Sequence, residues 1–262
     1  MEEITVTTWN ELNDCLYQDS WMPGIRRHRS LNAFRGLSLA SYPLETTLSR
    51  LGGNASRLEG HLLRNFRKYA HRRNVVERDA LWNWLSLAQH HRLPSRLLDW
   101  TYSPFVALHF ATAATDQFHL DGVVWCVDFS AARRLLPEAM ATELDREGAD
   151  VFTVEMLSRV AGSLEAFDRL SDETFVTFFE PPSLDDRIVN QFALFSVLSN
   201  PAASFEDWLA QHPSLVRKLI IPASLKWEVR DKLDQANISE RVLFPGLDGL
   251  SVWLKRHYSS RG

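Results

Sequence analysis

Polar side chains are concentrated in one short segment, residues 87–104, that is otherwise rich in Leu, Pro and Trp and lies between two predicted buried helices. Its polar members are Gln89, His90, His91, Arg96, Asp99, Thr101 and Ser103. Polar groups in a buried loop must hydrogen-bond to one another or to a ligand. The segment therefore predicts either a binding site or an internal network, such as an Arg96–Asp99 salt bridge that fixes the loop.

A second candidate is Arg35, which lies between Phe34 and Gly36 in a predicted buried strand, NAFRGL. Burying a guanidinium group without a partner costs several kcal/mol. Arg35 must therefore be paired with a carboxylate, a phosphate or a backbone carbonyl. If its role is purely structural, we expect Asp99 to be the partner.

A third cluster spans residues 180–191, with the sequence EPPSLDDRIVNQ. On a helix, Arg187 and Gln191 share a face at i and i+4 and would present a guanidinium and an amide above the following strand. Glu180 begins this segment. The alternative is a solvated turn in which Asp185 or Asp186 caps a helix.

Several enzyme classes lack their signature motifs in this sequence. There is no P-loop, no GxSxG and no HExxH, so nucleotidases, serine hydrolases and zinc proteases of the usual kinds are not indicated. Cys15 and Cys126 are far apart in sequence and form no CxxC pair. On a helix, His90 and His91 would point about 100° apart. No metal site is expected.

The composition is that of a soluble globular protein. Of 262 residues, 45% are hydrophobic and 24% are charged. The balance of 29 Lys and Arg against 33 Asp and Glu gives a net charge of -4, which argues against nucleic-acid capture by the whole surface. Neither a signal sequence nor a membrane-spanning run is evident, and the two cysteines are interpreted as reduced core thiols. These features predict a cytoplasmic protein with no membrane contact.

A local excess of positive charge lies on the first helix of the stretch 57–91. Its charged residues are Arg57, Arg64, Arg67, Lys68, Arg72 and Arg73 against Glu59. This helix either presents an ordinary solvated face or contacts phosphates of a nucleic acid or an acidic partner.

The pattern of elements favours an α+β fold, a mixed central sheet with packed helices. Strands are predicted at 4–8, around Arg35, at 122–129 and in three later segments, with helices between them. We expect one domain over residues 1–262, with a helical insertion at about 131–175.

Four separated motifs occur in order: AFRG at 33–36, AQHHRLPSRLLDWTYSPFVALHFA at 88–111, DRIVNQFALFSV at 186–197 and LFPGLDGL at 243–250. Together they resemble the FRG-domain family, named for its Phe-Arg-Gly motif, over nearly the whole chain. Arg92 and Ser95 depart from the usual second motif. Because the family occurs in bacterial toxins and phage-defence loci, the resemblance implies an effector of the toxin or antiviral-defence type, with an antitoxin or defence-system partner.

The motif order is also similar to that of ADP-ribosyltransferases, which consume NAD as substrate. The resemblance implies a fold of that kind and assigns NAD binding to Arg35, Gly36, Thr101, Ser103 and Arg187. It places Gln191, Asp99, His90 and Glu180 around the reacting ribose. Gln191 occupies the place of the family glutamate, so Glu180 or Asp99 must supply the carboxylate.

Three functions remain open at this point. The first is an NAD-dependent ADP-ribosyltransferase that modifies a nucleic acid or a protein. The second is an NAD glycohydrolase or phosphorylase using the same pocket. The third is a non-enzymatic module that binds a nucleotide or a nucleic acid through the basic helix and the polar loop.

Overall fold

The computed structural model describes residues 1–70 and 80–259. Its strands are Glu2–Thr5 (β1), Trp21–Met22 (β2), Arg27–His28 (β3), Asn32–Leu37 (β4), Leu97–Thr101 (β5), Gly122–Asp128 (β6), Phe152–Thr153 (β7), Val176–Glu180 (β8), Ala193–Leu198 (β9) and Val216–Ile221 (β10). Eight of them form one sheet in the order β1-β10-β6-β4-β5-β9-β8-β7, and β2 pairs with β3. The β1–β10 and β7–β8 pairs are parallel and the other pairs are antiparallel.

The helices surround this sheet. They are Trp9–Tyr17 (α1), Ala55–Ala70 (α2), Leu81–His90 (α3), Pro104–Ala111 (α4), Phe129–Ala132 (α5), Glu138–Glu147 (α6), Val154–Val160 (α7), Leu164–Asp168 (α8), Asp186–Asn190 (α9), Phe205–Gln211 (α10), Lys226–Gln235 (α11), Glu240–Leu243 (α12) and Leu247–His257 (α13). The predicted α+β class with a mixed central sheet is confirmed. In the described part of the chain, no helix is both long and apolar enough to cross a membrane.

The local predictions differ from the structure in a few places. The polar segment 87–104 is not a loop throughout, because its centre forms β5, a strand in the middle of the sheet. Leu98 and Trp100 enter one core layer while Leu97 enters another, which is the alternation expected of a strand buried on both faces. The stretch 131–175 is largely helical but includes β7. Arg72 and Arg73 lie outside the described residues.

The hydrophobic core is continuous on one face of the sheet and divided on the other. The continuous cluster includes Ala33, Trp125 and Trp100. On the opposite face, one cluster contains Phe34 with α1, α4 and α11, and a separate cluster contains Phe195 with α2, α3 and α6 to α8. The boundary between these two clusters lies where β4 neighbours β5.

The sheet itself is weakly joined at the same place. β4 pairs with β6 from Asn32 to Leu37, but among the described residues its register with β5 consists of one pair, Phe34 with Thr101. Beyond that pair the two strands diverge. A seam therefore runs through the centre of the sheet.

Gly36 lets α4 pack directly on β4. A Cβ atom built at this position would lie 1.8 Å from the carbonyl oxygen of Ala107 and 2.7 Å from the amide nitrogen of Ala111. At its start, α4 is fixed by Ser103, whose Oγ accepts from the Val106 amide at 3.4 Å. Because Gly36 has no side chain, α4 can lie against β4 and form one wall of the seam.

Two buried ion networks hold the segments around the seam. Arg96 donates from Nε to Glu59 of α2 at 2.6 Å and also to Asp168 of α8. The predicted Arg96–Asp99 salt bridge is therefore wrong, because these two carboxylates bind the guanidinium instead. Near the C-terminus, Arg256 donates to both oxygens of Glu240 at 2.7 Å. It also donates to both oxygens of Asp234 at 2.6 Å.

Replacing Gly36 with alanine should destabilise the fold by about 3 kcal/mol or more, because α4 must move away from β4. The matched control is Gly60→Ala on the exposed face of α2, where an added Cβ meets no atom within 4 Å. That change should be neutral or stabilising by up to about 1 kcal/mol. Urea unfolding measures both, and equal stability of the two variants would contradict the close packing of α4.

Stability should also decrease in acid through Glu240. Burial alone would raise the pKa of this carboxyl, but its hydrogen bonds with Arg256 and the positive charges of Arg230 and Arg256 together outweigh burial and lower the pKa from 4.5 to about 2. The stabilisation is therefore complete above about pH 4.5 and is lost as the pH falls toward 2. Glu240→Gln should cost about 3 kcal/mol at neutral pH and flatten this part of the pH profile. Exposed Glu155, changed to Gln, is the control; the same loss in both variants would contradict the assignment.

Candidate functional site

A cavity of about 290 Å³ opens at the seam between β4 and β5, and we call it the seam cavity. Eight of the candidate residues named in the sequence analysis line it: Arg35, Gly36, Gln89, His90, Asp99, Thr101, Arg187 and Gln191. Its apolar walls include Phe34, Trp100, Phe110 and Phe195. The structure thus brings together residues from three of the four sequence motifs.

Arg35 bridges the two diverging strands. If the antiparallel register continued past Phe34 and Thr101, Gly36 would face Asp99. Instead, the Arg35 guanidinium donates from Nη1 to the backbone carbonyl of Asp99. Of the three partners expected for this guanidinium, the structure therefore provides the backbone carbonyl.

The guanidinium of Arg35 is incompletely satisfied by the protein. Its Nε is buried and has no hydrogen-bond partner among the described residues. Burial lowers the pKa of Arg35, and the negative charge of Asp99 opposes that shift. Arginine nevertheless stays protonated in proteins, so a positive charge with spare donor capacity lies at the floor of the seam cavity.

Asp99 is exposed to the cavity although its neighbours in β5 are buried. Its Oδ2 accepts from Gln89 Nε2 at 2.9 Å, and Gln89 Oε1 in turn accepts from Ser95 Oγ at 2.7 Å. These bonds fix the carboxylate from the side of α3. Among the described residues that line the seam cavity, Asp99 is the sole carboxylate.

The opposite wall is built by α9. Thr101 Oγ1 donates to the backbone carbonyl of Gln191 at 2.7 Å, and Gln191 Nε2 donates to the carbonyl of Leu243 at 2.9 Å. The guanidinium of Arg187 lies 5.2 Å from the centre of the Phe244 ring. Segment 186–191 is thereby attached both to β5 and to the end of α12.

His90 closes one end of the cavity. Its Nε2 lies 2.8 Å from Asp185 Oδ2, and the other oxygen of Asp185 caps α9 by accepting from the Ile188 amide at 3.1 Å. Burial lowers the pKa of His90 and the Asp185 charge only partly opposes this, which favours the neutral imidazole at pH 7. A neutral histidine can accept a proton.

Two residues expected at the site lie outside the cavity lining. Glu180 ends β8, which is separated from β5 by β9, and its carboxylate accepts from the Tyr102 hydroxyl at 2.9 Å. Ser103 uses its hydroxyl to cap α4. The alternative in which Glu180 supplies the carboxylate is therefore not supported by its position, and Asp99 is the carboxylate that the fold brings to the cavity.

Sequence reasoning missed other lining residues, notably Thr47, Arg92 and Phe110. Arg92 follows the last turn of α3 with a φ of 62°. Left-handed residues are usual just after a helix C-terminus, so the end of the predicted helix could have drawn attention to it. Thr47 belongs to a connection between elements and carried no pattern in the sequence.

The charges of the seam cavity favour an anion. Arg35, Arg92 and Arg187 contribute three positive charges against the one negative charge of Asp99. A second cavity of about 570 Å³ adjoins it, because His90, Arg92 and Arg187 line both. Aromatic walls with several arginines suit a small molecule that combines rings with phosphate groups. In the described part of the chain, no group of three His, Cys, Asp or Glu side chains could hold a metal ion.

Comparison with curated proteins finds no match to this chain, and neither does comparison with solved structures. One family model, that of the FRG domain, matches residues 30–119. This range contains the AFRG motif and the polar segment with β5, whereas α9 and Gln191 lie beyond it. Residues 30–119 of this chain are therefore similar to the FRG domain.

Proposed function

We propose that this protein is an ADP-ribosyltransferase-like enzyme that binds NAD in the seam cavity and transfers its ADP-ribose to an acceptor. The observation that carries the proposal is the pairing of two groups in one cavity. Arg35 presents a guanidinium with no carboxylate bonded to it, and the carboxylate of Asp99 lies in the same lining. NAD needs both a cation for its pyrophosphate and an anion for its reacting ribose.

Arg35 and Arg187 are proposed to bind the pyrophosphate. Both residues line the seam cavity. A guanidinium binds a phosphate through two parallel N–H donors, and such charge-assisted bonds are stronger than neutral ones. Arg92, at the boundary with the second cavity, is a third candidate. At Gly36, which also lines the seam cavity, the wall consists of backbone atoms alone.

Asp99 is proposed to stabilise the transition state. When the bond between ribose and nicotinamide breaks, its electron pair leaves with neutral nicotinamide and the ribose becomes an oxocarbenium-like cation. A fixed carboxylate next to that carbon lowers the barrier by electrostatic stabilisation, as in glycosidases. Because Gln89 binds only Oδ2 of Asp99, Oδ1 keeps its acceptor capacity for this role.

Gln191, Thr101 and His90 are proposed to position the ribose and the acceptor. Gln191 Nε2 is occupied by the Leu243 carbonyl, which leaves Oε1 to accept from a ribose hydroxyl. Neutral His90, at the boundary of the two cavities, would accept the proton of the incoming nucleophile. The role of Ser103 is indirect in this proposal, since it holds the start of α4.

The first test is NAD binding by isothermal titration with wild type and Arg35→Ala. We expect wild type to bind and the variant to lose at least tenfold in affinity, because the pyrophosphate loses a charged partner. Arg133→Ala removes a surface arginine that pairs with Asp145 and Asp150 and should bind NAD normally. Melting temperatures are recorded for each protein.

Failure of wild type to bind NAD would contradict the proposal. If Arg35→Ala does not fold, Arg187→Ala provides the second test, since Arg187 contacts the Phe244 ring rather than the sheet. Wild-type affinity in a folded Arg187→Ala variant would exclude the wall of α9 from the phosphate site.

The second test separates binding from chemistry with Asp99→Asn. This change keeps the shape and removes the charge, so NAD affinity should stay within a few-fold while nicotinamide release falls by about 100-fold or more. Glu180→Gln, which alters a carboxylate outside the cavity, should retain full activity. Unchanged nicotinamide release by Asp99→Asn would contradict its assignment.

NAD labelled in its ADP-ribose part distinguishes transfer from hydrolysis. Label on a macromolecule supports the transferase, whereas label only in free ADP-ribose or its phosphate indicates a glycohydrolase or phosphorylase. A role as a toxin or a defence effector stays a prediction of the family resemblance.

A further inference from the structure

One face of α2 carries a continuous row of basic side chains, which we call the α2 stripe. Arg57, His61, Arg64 and Lys68 follow one another at spacings of four, three and four residues, and all four are exposed. Such spacing places side chains in line along a helix. At 1.5 Å per residue the stripe is about 16 Å long.

The opposite face of α2 is attached to the protein core. Leu63 and Phe66 pack into the cluster on that side of the sheet. Glu59 is buried in its salt bridge with Arg96. It is the only acidic residue between positions 46 and 76, so the helix exposes no acidic side chain next to its cations.

The cations of the α2 stripe lack counter-charges among the residues that the structure describes. In the described part of the chain, no carboxylate lies within ion-pair distance of Arg57, Arg64 or Lys68. Other surface arginines, such as Arg133 and Arg159, each bond two acidic residues. Since acidic residues outnumber basic ones in the chain, this local absence of counter-charge distinguishes the stripe.

Helix stability does not account for the stripe. Arg57 lies in the first turn of α2, which has no acidic residue. A cation there is disfavoured by the positive end of the helix macrodipole, where an acidic side chain is stabilising. Only Lys68, in the last turn, benefits from the dipole.

We infer that the α2 stripe binds the phosphate backbone of a nucleic acid. The row of cations matches a row of phosphates, and Tyr69, which is 72% exposed and carries the Lys68 ammonium 5.5 Å from its ring centre, offers a stacking surface for a base. An acidic protein would pair with the basic side chains of the stripe but would have no base to stack on the Tyr69 ring. This surface is separate from the seam cavity and does not depend on NAD chemistry.

The test is fluorescence anisotropy with a labelled single-stranded DNA oligonucleotide of mixed sequence, with RNA and duplex DNA compared in parallel. The variant is the triple charge reversal Arg57→Glu, Arg64→Glu and Lys68→Glu. We expect at least tenfold weaker binding at about 50 mM salt and a salt slope reduced by about 2 for the single strand. A milder triple variant with Gln at the same positions should fall between it and wild type.

A matched control variant changes the net charge by the same amount, but at three separate positions on the surface. The control changes are Arg134→Glu in the segment after α5, Arg169→Glu just after α8 and Lys255→Glu on α13. All three residues are exposed, and the changes should reduce affinity much less. Circular dichroism confirms that each protein is folded. Absence of wild-type binding at low salt, equal loss in stripe and control variants, or preference for polyglutamate over nucleic acid would each overturn the inference.

Discussion

The bond from Arg35 to the backbone carbonyl of Asp99 is the interaction on which the site depends. It spans the place where β4 and β5 stop pairing and where the core on one face of the sheet divides in two. A charged side chain thus takes the place of regular strand pairing. Because Nε of Arg35 has no hydrogen-bond partner in the described ranges 1–70 and 80–259, the same group that joins the two halves keeps capacity for an anion.

The surrounding structure fixes this opening from three sides. Gly36 admits α4 against β4, Gln89 holds the Asp99 carboxylate, and Gln191 is tied to both β5 and α12. The ion network of Arg256 with Glu240 and Asp234 holds α12 in turn. Hydrogen bonds and ion pairs therefore hold the walls of the cavity, whose described lining contains three arginines and one carboxylate. This arrangement is expected of a preorganised anion site.

Hydrophobic periodicity was enough to predict the α+β class and the strand at 122–129, which corresponds to β6 in the structure. The strand β5 was not predictable in this way, because Pro and several polar residues precede a run of only five, and a strand that short does not show a clear period. Motif position selected Arg35, Asp99 and Thr101, which the fold brings into one cavity lining. It also selected Glu180, which lies outside that lining. It could not give the partners of Arg96, since Glu59 and Asp168 are distant in sequence and only the tertiary structure brings them together.

A structure of the protein with NAD bound is the most direct measurement of the central claim. The account predicts pyrophosphate oxygens within hydrogen-bond distance of the Arg35 guanidinium, with the Asp99 carboxylate beside the ribose carbon that carries nicotinamide. NAD bound at another surface, or Arg35 still bonded only to the β5 carbonyl with the seam cavity empty at saturating NAD, would contradict it.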